Sequence, residues 1–511
     1  MQPGLQSSYD DLMERYKQQY VLRTANQMIH WDLETMMPPR GISLKSEQLG
    51  LMDVLAHKIL VDPQVAKLLG VLEAESSLRE MDAKQRRNVE LIRRYYDQEA
   101  GLPEDLVSDI AKQQAVTIVA WKKAKAAKNF QLYRAELERM IALKRRAAEI
   151  MMEIRMTPTP LDALIETFEP GMTQDQIAKV FEEMKAGIMR TVERIRSSVA
   201  KPDVSFLSRH VPVEAQKKIS LAAMEFIGYD TTGPNAGGRL DETEHPFTTG
   251  YYDDVRITTH YYEDKFMSSF FSVMHEGGHA LYEQNQPHEW MFQPLGSASS
   301  HGVHESQSRF VENMVGRSPE FLAFILPQLR KMTKGALKGV KTADFVKAVN
   351  NVEPTKIRVD ADEVTYGLHV VIRFEMEREL FAGKIGVDDL PSVWNEKYEK
   401  YLGLKIENDS EGVMQDTHWA GGAFGYFPSY AMGNIYGGMF LEKMNKDLKG
   451  WRKSVRKGDF SGVKSWLVTN VHSKGDTLDP AQLVKAVTGK DVEVQPFINY
   501  LDRKFSKIYA Y

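Results

Sequence analysis

The chain contains no cysteine. That excludes disulfides, thiolate metal ligands and a cysteine nucleophile, and it fits a reducing cytoplasm. A strong charge imbalance is also missing. With 66 Lys+Arg against 70 Asp+Glu the net charge is −4, so nothing calls for nucleic acid or an anionic membrane as partner. The opening MQPGLQSSYDDLMERYKQQY has neither a basic region nor an apolar one, and no signal peptide is expected. Long uncharged apolar runs are scarce. The nearest, Ala420 to Phe440, is broken by Gly421, Gly422, Gly425, Pro428, Gly433, Gly437 and Gly438. It reads as buried irregular backbone near a site rather than as a membrane span. No Pro/Gly/Ser linker and no internal repeat divides the chain, so residues 1–511 are read as one unit.

Hydrophobic residues at 42% and charged residues at 27% are ordinary globular values, and a chain of 511 residues can bury a large core. The dominant periodicity is helical. Ile177, Val180, Phe181, Met184, Ile188, Val192 and Ile195 recur at steps of three and four, and Thr173 and Gln176 stand ahead of them at capping-box spacing. Tyr133, Leu137, Met140, Ile141, Met151 and Ile154 form a second stripe. The methionines in such stripes are core packing, and Lys122-Lys123-Ala124-Lys125 is a solvated helix face. One region differs. Glu244 to Tyr262 is rich in Thr, Tyr, Val and Ile with Gly250 and Asp253-Asp254 as turn signals, which predicts a hairpin or a three-stranded sheet. A glycine-rich loop, Thr231 to Gly238, precedes it. The expectation is a mainly α protein with a small β-sheet close to its site.

That site is announced by His275-Glu276-Gly277-Gly278-His279. A helix places residues i and i+4 on one face, so both imidazoles project the same way and can share one Zn²⁺. Glu276 can then reach a water, take its proton and later deliver it to a leaving amine. Gly277 and Gly278 are poor helix-interior residues, each costing about 1 kcal/mol relative to Ala, and their presence predicts a helix against which a substrate strand packs closely. A catalytic zinc needs a third protein ligand. Glu305, in His304-Glu305-Ser306-Gln307-Ser308-Arg309, is the first candidate. Glu283, one turn beyond His279, His301 and His304 are the alternatives, and Glu283 or His304 could instead orient a ligand from behind.

Taken together the motifs resemble the carboxypeptidase Taq family of metallocarboxypeptidases. The resemblance rests on His245-Pro246-Phe247, Asp254-Val255-Arg256-Ile257-Thr258, the HEGGH segment, His304-Glu305-Ser306-Gln307, Ile357-Arg358-Val359-Asp360-Ala361-Asp362 and Gly412-Val413-Met414-Gln415-Asp416-Thr417-His418-Trp419, with Trp31-Asp32 and Met37-Pro38 upstream. It implies His275, His279 and Glu305 as metal ligands and Glu276 as general base. It further implies a helical, bilobed body with a deep groove, similar to the angiotensin-converting enzyme and neurolysin fold, and a homodimer. The implied activity is removal of single C-terminal residues from peptides, with broad specificity and poor action on C-terminal proline, supported by zinc or cobalt. An enzyme of that kind must hold a free carboxylate, for which arginine's planar fork is suited. Arg358 is the first choice and Arg256 the second. The plain alternative for Arg358 is an ion pair with Asp360 or Asp362. His418 and Tyr426, or less favoured Tyr430, are candidates to face the oxyanion. Gln415 and His245 are substrate contacts or loop ties. Asp254 and Thr258 read as scaffold for Arg256.

The competing readings are an endopeptidase or dipeptidase with the same metal chemistry, a binding protein on an inactive peptidase scaffold, and a hydrolase of small amides. An intact Glu276 argues against the second, because metal binding alone does not need it.

Overall fold

The computed structural model describes all of residues 1–511. The fold is mainly α, from a first helix at Pro3–Thr35 to a last at Gln495–Tyr509, with three short strands in the middle of the chain. No helix is long and apolar enough to cross a membrane.

The helical stripes fold as their periodicity predicts. Thr173 and Gln176 close a reciprocal capping box at the start of the Gln174–Ser197 helix, whose Ile177, Phe181, Met184, Ile188, Val192 and Ile195 are buried. The Gln131–Arg155 helix buries Tyr133, Leu137, Met140, Ile141 and Met151, while Ile154 is exposed. Lys122 and Lys123 are exposed as expected, but Lys125 turns inward and donates from Nζ to the Gln415 carbonyl at 2.9 Å.

Two main hydrophobic cores result, with a small third cluster between them. A large one of 100 buried residues runs from Ala124 to Tyr509, and a separate one of 11 joins the helices of the first hundred residues, among them Leu12, Tyr16, Leu69 and Ile92. The N-terminal helices attach to the body through a small buried cluster of Leu91 with Trp290 and Leu295, and through polar and cation–π contacts around it. Arg87 donates to Asp476 (2.7 Å) and Asp479 (2.8 Å), Asn88 donates to Gln293 (3.0 Å), and Trp31 lies under Arg239 and Arg256.

The sheet comprises β1 (Gly238–Glu242), β2 (Thr248–Tyr251) and β3 (Asp254–Thr259) in the order β1-β3-β2. β1 runs parallel to β3, with Leu240 opposite Ile257, and β2 pairs antiparallel to β3, with Thr249 opposite Arg256. The strand-rich stretch read from sequence contains the β2–β3 hairpin. β1 starts where the glycine-rich loop ends, at Gly238, because the Tyr229 hydroxyl accepts from the Arg239 N–H (2.9 Å) and donates to the Val255 carbonyl (2.6 Å).

One expectation is corrected here. Ala420 to Phe440 is irregular only at its start; from Phe427 it is a regular helix, Phe427–Asp447. Its glycines serve helix contacts rather than loop conformation. A Cβ on Gly437 would meet Met314 Cε at 3.0 Å, and one on Gly438 would meet the Phe497 backbone at 2.7 Å. Only Gly422 and Gly425, at φ +71° and +79°, need the left-handed backbone that glycine tolerates.

Candidate metal centre and active site

The HEGGH segment lies in the Phe266–Gln284 helix, which buries Phe266, Phe270, Val273, Met274 and Leu281 and so runs through the body rather than over it. The glycine pair explains how. A Cβ on Gly277 would strike Ile227 Cδ1 at 2.3 Å, and one on Gly278 would strike the Gln307 carbonyl and Ser308 Cα at 2.7 Å. The close approach predicted from these glycines is thus made by two neighbouring helices, not by a substrate strand.

The second of those neighbours, His301–Arg309, carries Glu305. Its N-terminus is clamped by Glu169, which accepts from Ser300 Oγ, the Gly302 N–H and the Tyr436 hydroxyl at 3.0, 3.0 and 2.7 Å. On its other side it rests on the Phe427–Asp447 helix at Gly433, where a Cβ would lie 2.6 Å from Glu305 Cγ. Helix 301–309 is held between two glycine-lined contacts, and that fixes where Glu305 can stand.

The geometry brings His275, His279 and Glu305 together, with ligand atoms all within 4.8 Å of one another. His275 Nε2 and His279 Nε2 lie 3.5 and 3.4 Å from the same oxygen, Glu305 Oε2. Two imidazole nitrogens and a carboxylate oxygen converging from two buried helices fit a zinc-type ion and leave room for a further ligand. Of the alternatives, His301 sits instead against Phe168 and Tyr426. His304 and Glu283 form a chain behind His279: His279 Nδ1 lies 2.5 Å from His304 Nδ1, and His304 Nε2 lies 2.7 Å from Glu283 Oε1. The network assigns the protons as His279 Nδ1–H to His304 and His304 Nε2–H to Glu283, which frees His279 Nε2.

His275 has its own support, which the sequence reading missed. Its Nδ1 is 3.0 Å from Glu312 Oε2, and Arg317 donates to Glu312 Oε1 at 3.0 Å. Glu312 lies in a π-helical turn, Phe310–Gly316, that continues helix 301–309. Glu305 is fixed by Arg309 Nε (2.7 Å) and Ser308 Oγ (2.9 Å). Burial alone would raise its pKa, but Arg309, His275 and His279 outweigh that and hold it well below the usual glutamate range. Burial, reinforced by His304, pushes His279 down to about 3, which keeps it in the neutral form that metal ligation requires.

Glu276 is 7% exposed, and Thr248 Oγ1 from β2 donates to its Oε2 at 2.6 Å. Thr248 is a second residue the sequence reading passed over. Burial pushes the Glu276 carboxyl above its ordinary range, with His275 and Thr248 opposing. Two cavities flank the triad. One of about 380 Å³ is lined by His275, Glu276, Arg309 and Glu312, and another of about 620 Å³ by His301, His304, Glu283 and Phe168.

The remaining candidates divide. Arg358 is buried, and its partner is neither Asp360 nor Asp362 but Asp416, which accepts from Nε at 3.1 Å and Nη2 at 2.9 Å. Asp416 also accepts from Arg373 Nε at 2.6 Å, so this trio carries one positive charge more than it neutralises. The Arg358 guanidinium faces the Tyr430 ring at 4.9 Å. The Tyr430 hydroxyl lies 3.2 Å from His418 Nε2, and Tyr426 packs its ring on Tyr430 at 5.1 Å and on His418 at 5.5 Å. Burial pushes His418 down to about 4. Gln415 is a loop tie: its Oε1 accepts from the Arg358 N–H and Arg373 Nη2, both at 2.8 Å, and its Nε2 donates to the Lys356 and Glu411 carbonyls. Arg256 pairs with Asp254 (2.7 Å) and stacks on Trp31 at 4.3 Å, and Thr258 ties back to Phe247. His245 lies exposed in the turn between β1 and β2.

Fold and site together define a metallopeptidase, and the comparisons with known proteins name its family. The model for carboxypeptidase Taq (M32) metallopeptidase matches residues 11–505, and the chain belongs to that family. It is 37% identical to thermostable carboxypeptidase 1 of Thermus thermophilus over 512 residues, 99% of either chain. It is also 37% identical to carboxypeptidase 1 of Bacillus subtilis over 483 residues, 94% of this chain and 95% of that one. The crystal structure of the M32 carboxypeptidase from Deinococcus radiodurans superposes with a TM-score of 0.94 at 32% identity, covering 99% and 100% of the two chains. The protein is therefore a peptide hydrolase of the metallocarboxypeptidase class that depends on a divalent metal.

Proposed function

We propose that this chain is a zinc-type carboxypeptidase, with cobalt able to substitute, that removes single C-terminal residues of broad identity and acts poorly on C-terminal proline. The observation that carries the mechanism is Glu276, pinned by Thr248 beside the His275–His279–Glu305 triad. Those three residues would hold the ion, which when bound supplies Lewis acidity toward water and the scissile carbonyl. Glu276 takes a proton from the attacking water and hands it to the leaving amine; a carboxyl raised by burial suits both transfers. His418, Tyr426 and Tyr430 present polar groups for the developing oxyanion. Arg358 takes the substrate's terminal carboxylate, supported by the surplus positive charge it shares with Arg373 over Asp416. Arg256, His245 and Gln415 then act as scaffold. Residues 1–511 act as one catalytic unit, in a cytoplasm that the lack of cysteine suits and in the homodimer that the family resemblance implies.

The test is mass spectrometry of one peptide beside its C-terminally amidated twin. Single residues lost from the free acid alone support the proposal. Internal cuts in both would make the chain an endopeptidase and remove the role of Arg358. For Arg358→Ala, a KM for free-acid peptides raised about 100-fold with kcat less affected is expected for loss of a charged anchor.

A further inference from the structure

A third cavity, of about 960 Å³, lies on the far side of the Phe427–Asp447 helix from the metal triad. Gly433 of that helix faces Glu305, whereas Gly438, five residues and about 140° further round, lines this cavity. Its walls come from helices 319–332, 342–349, 427–447, 451–455 and 495–509. Nothing in the peptidase chemistry uses it.

Its charge is anomalous. Seven basic side chains line it against two acidic ones, in a chain whose net charge is −4. Two pairs stand one helical turn apart on different elements, Arg452 with Arg456 and Arg503 with Lys507, and Lys347 and Lys446 add charge from two more. Like charges at that spacing destabilise a helix. Here they are not offset: Lys347, Arg456, Arg503 and Lys507 have no carboxylate within 4.0 Å, and Arg452 reaches Glu320 only at 3.9 Å. Lys504 on the floor is neutralised by Glu363 at 2.5 Å, and Lys446 pairs with Glu442 at 3.4 Å, which leaves the two arginine-bearing pairs and Lys347 as the uncompensated charge. Cations gathered by several elements around one concavity of ligand size, most of them without counter-charge, are the arrangement of an anion site. Arginine forks suit tetrahedral oxyanions in particular.

We propose that this cavity binds a compact polyanion bearing two or more phosphate groups, held by Arg452, Arg456, Arg503 and Lys507. The experiment is isothermal titration of the full-length protein with sodium tripolyphosphate, alongside the double variant Arg456→Ala/Arg503→Ala. Both substituted side chains are exposed and unpaired, so the variant should fold and keep peptidase activity. Saturable binding of one tripolyphosphate per chain is expected, weakened by salt and reduced about tenfold or more in the variant. Lys122→Ala/Lys123→Ala, on an exposed face elsewhere, should leave it unchanged. Absence of saturation, or equal affinity in the Arg456/Arg503 variant, overturns the proposal. Binding of an amidated oligo-glutamate peptide but not tripolyphosphate overturns the assignment to phosphate.

Discussion

Gly433→Ala adds one methyl group to the helix behind the metal site, and its consequences can be worked out from the contact. The new Cβ would lie 2.6 Å from Glu305 Cγ, 2.8 Å from its Cβ and 3.0 Å from its backbone carbonyl carbon. Ordinary carbon contacts lie at about 3.5–4.0 Å, so the helices must part by roughly 0.5–1 Å or Glu305 must move. Rotation of the Glu305 side chain gives no easy relief, because Arg309 and Ser308 fix its carboxylate and the backbone carbon cannot rotate away. Overpacking of this kind costs about 1–3 kcal/mol. Replacing a helix-interior glycine returns about 1 kcal/mol. The net loss is therefore small, and in a chain of this size each kcal/mol lowers Tm by only about 1 °C.

Function should suffer out of proportion. A ligand displaced by about 1 Å can cost on the order of 100-fold in rate. Gly433→Ala is expected to lose about that much kcat/KM and to give up metal more readily to a chelator, with Tm within about 2 °C of wild type. The control is Gly70→Ala, in the Pro63–Leu72 helix, where a Cβ meets nothing within 4 Å. That change should raise stability by about 0.5–1 kcal/mol and leave activity alone. Wild-type kcat/KM and chelator resistance in Gly433→Ala would refute the view that this glycine sets the position of Glu305.

Three further outcomes are expected. Glu276→Gln should retain its metal by elemental analysis while turnover falls about 10²–10⁴-fold; near-normal turnover would remove Glu276 as base. Glu312→Gln keeps an acceptor for His275 but not its charge, and should weaken metal affinity about 10–100-fold in a chelator competition; unchanged affinity would leave Glu312 a purely structural acid. Asp416→Asn leaves Arg358 and Arg373 without their shared counter-charge and should cost about 3–5 kcal/mol by denaturant unfolding. Burial would raise the Asp416 pKa, but Arg373 and Arg358 outweigh it and hold it well below the ordinary value of 3.8. Its stabilisation is thus fully present above that value and lost as pH falls through the depressed one. Wild type should therefore lose more stability than Asp416→Asn between about pH 4 and pH 2, and parallel acid limbs would contradict this.

The parts legible in the sequence are those set by local spacing. The Thr173–Gln176 capping box, the stripe of the Gln174–Ser197 helix and the i, i+4 histidines are properties of a single helix, and they folded as read. Glu305 stands ahead of Glu283, His301 and His304 by spacing only, and the family resemblance singles it out. What could not be read were the contacts between distant segments. Glycine pairs announce close packing but not the partner: Gly277 and Gly278 read as facing a substrate strand, whereas Ile227 and Ser308 occupy those places. The sequence neighbours of Arg358 offer Asp360 and Asp362 as partners, whereas its counter-ion is Asp416. Glu312 carried one usable signal, its place two turns beyond Glu305 at i+7, but the π-turn that aims it at His275 has no sequence signature of its own. Ala420 to Phe440 misled because glycine density marks loops and close helix contacts equally.

The supports behind the triad also decide how metal and fold are coupled. Each candidate ligand has a protein partner of its own: Glu312 behind His275, His304 and Glu283 behind His279, Arg309 and Ser308 beside Glu305. The helices bearing them are held by contacts that involve no ion, at Gly278, Gly433 and Glu169. In small zinc domains metal binding supplies the folding free energy, because no site exists beforehand. Here the site is built by a core of 100 buried residues, and the ion adds to a fold already formed. Stripping the protein with a chelator should therefore abolish peptidase activity while the helical circular dichroism and a cooperative thermal transition persist. Restored metal should raise Tm only as far as mass action on the folded state allows. A stripped protein that lost its cooperative transition would place the metal among the determinants of the fold and contradict the pre-organisation argued from Glu312, His304 and Arg309.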